Sequence, residues 1–74
     1  MLRAYRVAAK FMATRLDSEM VSVESFVVGD ILVVLSSDGQ LTEFCRRDHP
    51  ADLNDRPRYI VPDAEFALRT EHQL

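Results

Sequence analysis

The chain has 74 residues, a single cysteine, twelve acidic against nine basic side chains and a formal net charge of −3. A domain of that size buries only roughly 60% of its unfolded surface, and the lone Cys45 excludes an intrachain disulfide as a supplement. The acidic balance disfavours non-specific nucleic-acid binding, no apolar run approaches the roughly 20 residues that span a bilayer, and the lack of a signal-peptide pattern points to a cytoplasmic setting.

The first sixteen residues read in two ways. Leu2, Tyr5, Ala9, Met12 and Leu16 recur at helical spacing, which would give an N-terminal helix packed on a small antiparallel sheet, an α+β arrangement. Tyr5, Val7, Ala9, Phe11 and Ala13 also share one face of an extended segment, and a single strand over residues 5–13 is the preferred reading. A remainder of four strands would struggle to cover its own edges. Asp17, Ser18 and Glu19 form an acidic turn, after which Met20, Val21, Ser22 and Val23 alternate toward Phe26.

The centre of the chain carries the firmest signal. Ile31, Leu32, Val33, Val34 and Leu35 are five consecutive apolar residues with no helical gap, the pattern of a strand dry on both faces. Gly29-Asp30 before it suits a turn or bulge, because glycine reaches positive φ without a Cβ clash. Ser36, Ser37, Asp38 and Gly39 after it predict a hairpin into Leu41, Thr42, Glu43, Phe44 and Cys45. Leu32 and Val34, together with Met12 and Met20, look surplus to so small a core and suggest a homo-oligomer.

Residues 46–57, RRDHPADLNDRP, read as a mobile loop that cannot contribute to a core. Arg58, Tyr59, Ile60 and Val61 restore the strand pattern and Pro62 ends it. Asp63 then stands where it would cap a helical turn carrying Phe66, and residues 70–74 look frayed.

Ala13 with Asp17, the run from Phe26 through Gly29-Asp30 to Leu35, and Tyr59-Ile60-Val61-Pro62 followed by Phe66 together resemble the Src-homology-three barrel from Phe11 onward. The resemblance implies a mostly β fold, a small five-stranded barrel with a short C-terminal helical turn. It also implies a partner surface built from Asp17, Glu19, Tyr59, Pro62 and Phe66. The chain has no tryptophan, which the family's proline-rich peptide shelf uses, and Phe66 stands one residue later than the family's tyrosine and lacks its hydroxyl. What the resemblance supports is therefore a protein-interaction or dimerisation module, the role that similar barrels fill in bacteria and mobile elements.

Candidate chemistry is sparse. Cys45 beside Arg46 and Arg47, with His49 four residues on, is the best nucleophile available, but a cysteine ending an apolar strand is more often a small core residue. Cys45, His49 and His72 match no zinc spacing, so neither a metal nor a cofactor is expected. Arg58-Tyr59-Ile60-Val61-Pro62 only loosely resembles the pore strand of the plasmid-borne type II dihydrofolate reductases, and the glutamine and tyrosine that work there are absent in register. Arg46, Arg47, Arg56 and Arg58 would form a patch for phosphate, nucleic acid or an acidic partner if they converged. Asp48, Asp52 and Asp55 among them favour a self-neutralising cluster.

Overall fold

A computed structural model describes residues 2–16 and 21–73. The expected extended chain is present, but as seven strands: β1 (Arg3–Val7), β2 (Phe11–Arg15), β3 (Ser22–Phe26), β4 (Ile31–Ser37), β5 (Leu41–Arg46), β6 (Tyr59–Pro62) and β7 (Thr70–His72), with one helix, α1 (Asp63–Arg69). They form one antiparallel sheet in the order β3-β2-β6-β5-β4-β1-β7. No ladder joins β3 to β7 among the described residues, so the sheet is not the closed five-stranded barrel expected from the sequence.

Both additional strands have a physical origin. Alternation of apolar side chains over residues 5–13 is genuine, and Val7, Phe11 and Ala13 are all buried; the extended, paired backbone of β1 and β2 excludes the N-terminal helix. The chain nonetheless breaks at Ala8 to Lys10, where the amides of Ala8 and Ala9 both donate to the Arg69 carbonyl instead of to a strand. The tail that looked frayed is β7, paired to β1 from Tyr5 to Val7, and the Gln73 amide extends the pairing by donating to the Ala4 carbonyl.

The break also sets the shape. β1 and β2 lie four places apart in the sheet, which would be about 19 Å if the sheet were flat. The link from Val7 to Phe11 reaches at most about 14 Å fully extended. The sheet must therefore roll up, and its inner face becomes a shared core.

That core holds Phe11, Phe26, Phe44, Tyr59 and Phe66 with Val7, Ala13, Leu32, Val34 and Val61. Phe26 meets the edges of Phe44 and Tyr59 at centroid separations of 5.1 and 4.9 Å, while Phe11 stacks on Phe26 at 5.4 Å. Leu32 and Val34 are consumed by this core and supply no free dimer face, contrary to the surplus inferred from sequence. Val33 and Cys45 lie directly opposite each other across β4 and β5, are also buried, and stand outside the central cluster. The middle of the apolar run, Leu32 to Val34, is thus buried on both faces within one chain, while Ile31 and Leu35 are half-buried. A bulge between Val34 and Ser36 takes up Leu35 as the extra residue.

The turns follow their sequence signals. Gly29 has φ of +100° and Gly39 of +90°, the left-handed region that glycine enters at no steric cost. Asp38 accepts from the amides of Leu41 and Gln40, and these bonds hold its carboxyl below the ordinary value of 3.8. Asp63 departs from expectation. It is the first residue of α1 and makes no cap; its carboxylate instead accepts from the hydroxyls of Ser37 and Thr42. Its amide donates to the Gln40 carbonyl, so the start of the helix is fastened to the β4–β5 hairpin.

Residues 46–57 are likewise less free than their composition suggests. Leu53–Asp55 form a short 3-10 turn, and the Arg56 guanidinium donates to the carbonyls of Ala51 and Arg46, drawing the excursion back against the end of β5. Because Phe44 is fully buried among four other aromatic rings, truncating it leaves a void that the rolled sheet has little room to close. We expect Phe44→Ala to lose roughly 3–5 kcal/mol, measured as the shift of a urea unfolding curve; a loss below about 1 kcal/mol would contradict this packing.

Candidate functional site

Facing residues of paired strands share a face. Arg46 lies opposite Leu32, and Glu24 opposite Ala13, so both polar side chains project to the inner side of the sheet with the core. Arg46 closes one end of the roll. Its Nη1 lies 3.1 Å from Asp30 Oδ2, its Nη2 donates to the Ser25 carbonyl at 3.2 Å, and its guanidinium carbon sits 4.2 Å from the centre of the Phe26 ring. The same Asp30 oxygen accepts from the Val27 amide, so one carboxylate fixes both the turn and the arginine.

Glu24 joins this group from β3. Tyr59 Oη donates to Glu24 Oε2 at 2.7 Å, and the carboxylate stands 3.8 Å from both Arg15 and Arg46. Burial of the phenol, reinforced by the hydrogen bond to Glu24, pushes the Tyr59 hydroxyl above the ordinary tyrosine range. The arrangement is a network in which Glu24 and Asp30 tie the Tyr59 hydroxyl and the Arg15 and Arg46 guanidinium groups together.

The four arginines singled out in the sequence do not converge on one open patch. Arg46 is held by Asp30, Arg47 by Asp48, Arg58 by Glu43, and Arg56 by two main-chain carbonyls. Self-neutralisation was legible, but of the three aspartates noted among them only Asp48 takes part; Asp30 and Glu43 come from elsewhere in the chain. The shelf residues are also separated. Tyr59 and Phe66 are 2% and 5% exposed and belong to the core, leaving Pro62 as the exposed member, while Asp17 and Glu19 lie outside the described residues, as does Met20.

Cys45 is completely buried, and the His49 ring accepts from the Ala51 amide through Nδ1. The His72 ring sits edge-on to Tyr5 at 5.1 Å. No group of three metal-ligating side chains occurs among the described residues, and no helix among them is long and apolar enough to cross a membrane. Shallow cavities of about 220, 230 and 240 Å³ occur among the described residues. Small-molecule sites usually enclose roughly 300–1,000 Å³, so these are the size of a single side chain.

What the sequence reading missed is the outer face. On β2, β3, β5 and β6 the side chains of Met12, Val23, Leu41 and Ile60 alternate with inward core residues and point away from the roll, and Leu16 continues the β2 series. Met12, Val23, Leu16 and Leu41 are 57, 50, 47 and 42% exposed. Leu16, Leu41 and Ile60 line the third cavity with Ser36, Asp38 and Glu43, an apolar floor with an acidic rim. Alternation was visible in each strand, but only the register shows that these residues share one face. No family model, no curated protein and no solved structure matches the chain.

The Tyr59 to Glu24 contact has a consequence for pH dependence. A phenol whose folded pKa is raised above its unfolded value of 10.0 contributes stability that is fully present below that pH. The contribution is lost as pH rises through the folded pKa. We expect Tyr59→Phe to cost roughly 1–2 kcal/mol at neutral pH and to show a weaker decline in stability above pH 10 than the wild type. Urea unfolding of both proteins on either side of pH 10 reads the difference, and parallel alkaline declines would contradict the assignment.

Proposed function

We propose that this chain is a non-enzymatic protein-interaction module that meets its partner through the outer face of β3, β2, β6 and β5. The observation that carries this reading is the set of apolar side chains on that face, Met12, Leu16, Val23, Leu41 and Ile60, of which Leu16, Leu41 and Ile60 line a side-chain-sized hollow. Contiguous apolar surface on a small domain marks a contact site, and binding energy concentrates where one side chain fills one pocket. The acidic rim of Asp38 and Glu43 favours a partner that brings a basic or hydrogen-bond-donating border around an apolar anchor.

The site chemistry supports the same reading. Cys45 is out of reach of any substrate, and the polar groups at the end of the roll satisfy one another. The arginines that would have to meet nucleic-acid phosphate are engaged with carboxylates and carbonyls. Within this reading the chain functions as a homodimer or docked on a different protein.

Leu41→Glu and Met12→Glu alter exposed positions and should change stability by no more than about 0.5 kcal/mol. We expect affinity capture with the wild-type protein to retain a partner that either variant loses by tenfold or more, with melting curves unchanged. Equal retention by both variants would show that this face is not the contact surface. Salt-sensitive retardation of a DNA or RNA duplex in a gel would overturn the reading in favour of nucleic acid.

A further inference from the structure

The sheet has two edges, and they are not equivalent. β7 is three residues long and carries Glu71 and His72. β3 is five residues long, and its single ladder among the described residues is with β2. The direction of its remaining main-chain groups follows from two separate contacts. The Leu16 amide donates to the Arg58 carbonyl, so the even-numbered residues of β2 aim their amides at β6 and the odd-numbered ones face β3. Ala13 and Arg15 therefore bond Glu24 and Ser22, and Val23 and Ser25 point off the edge. The Ser25 carbonyl confirms this direction by accepting from Arg46.

Val23 is left with an amide and a carbonyl that have no partner among the described residues, and by the same alternation so is Val21, which is 91% exposed. We propose that a second copy of this chain pairs with this edge, β3 against β3, antiparallel about a two-fold axis through Ser22. This inference rests on the interaction-module reading and names its partner.

The register follows from charge and hydrogen bonding. An axis through Glu24 sets that carboxylate opposite its own counterpart, a like-charge pair. An axis through Val23 sets Val21 against Ser25, whose carbonyl Arg46 already occupies. An axis through Ser22 sets Val21 opposite Val23 of the second copy, twice, and each pair exchanges both main-chain bonds. The four valines then form one apolar strip on the outer face, continuous with Met12 and Leu16. On the inner side the two Ser22 side chains meet, small enough for the close approach of a non-hydrogen-bonded pair.

That close pair supplies the test. Its Cα atoms lie about 4.5 Å apart, inside the roughly 4.4–6.8 Å range of disulfides. In the full chain, Ser22→Cys should give a disulfide-linked dimer under mild oxidant, with the wild type, whose only thiol is the buried Cys45, giving none. Sedimentation of the wild type at about 100 µM, where a micromolar dimer is largely formed, should report twice the chain mass. Val23→Pro removes the outward amide, a change that edge strands tolerate, and should return the mass to one chain with the circular dichroism spectrum retained. Cross-linking by Val23→Cys but not Ser22→Cys would overturn the register. A monomeric wild type that still captures a Leu41-dependent partner would overturn the pairing and leave the module reading standing, whereas a monomer that captures nothing would remove both.

Discussion

The structure depends on a short connection. Ala8, Ala9 and Lys10 must carry the chain from β1 to β2, strands four places apart in the sheet, and their reach is shorter than the flat distance. Rolling is thus imposed by covalent geometry before any side chain packs. Once rolled, a single inner face serves the whole sheet, and five aromatic rings from β2, β3, β5, β6 and α1 fill it. A chain this short gains from that economy, since one set of buried rings is shared by every strand that contributes to the face.

The two ends of the roll are finished by opposite means. At the hairpin end Phe66 enters from α1, and Asp63 fastens the helix to Ser37 and Thr42. At the other end Arg46 lies over Phe26 and binds Asp30 and the Ser25 carbonyl. An arginine suits that position because its apolar, planar head covers a ring while its rim satisfies carbonyl and carboxylate acceptors. Arg46 also ties β5 to the edge strand β3, with which it shares no ladder, and so performs part of the work of a closing seam.

Much of this was legible in the residues. The β4–β5 hairpin, the Gly29-Asp30 turn, the inward face of Val7, Phe11 and Ala13 and the break at Pro62 all follow from local chemistry. The strand count did not, because period-two alternation is the same in one bent strand and in two strands separated by a crossing. The tail misled for a related reason: Thr70, Glu71 and His72 have no apolar pattern, and their order comes from pairing with β1. Leu32 and Val34 looked surplus because sequence spacing does not show how tightly a sheet is rolled. The outer-face set was hidden more deeply still, since Met12, Val23, Leu41 and Ile60 come to share one face only through register.

The unequal margins of the sheet bear on how large an assembly it would build. A long margin that fits its own image consumes itself in a two-fold union, whereas a three-residue, acid-bearing margin at the far side offers little for a third chain to grip. Growth would stop at a pair, and an otherwise exposed ribbon of valines would be kept out of fibrils.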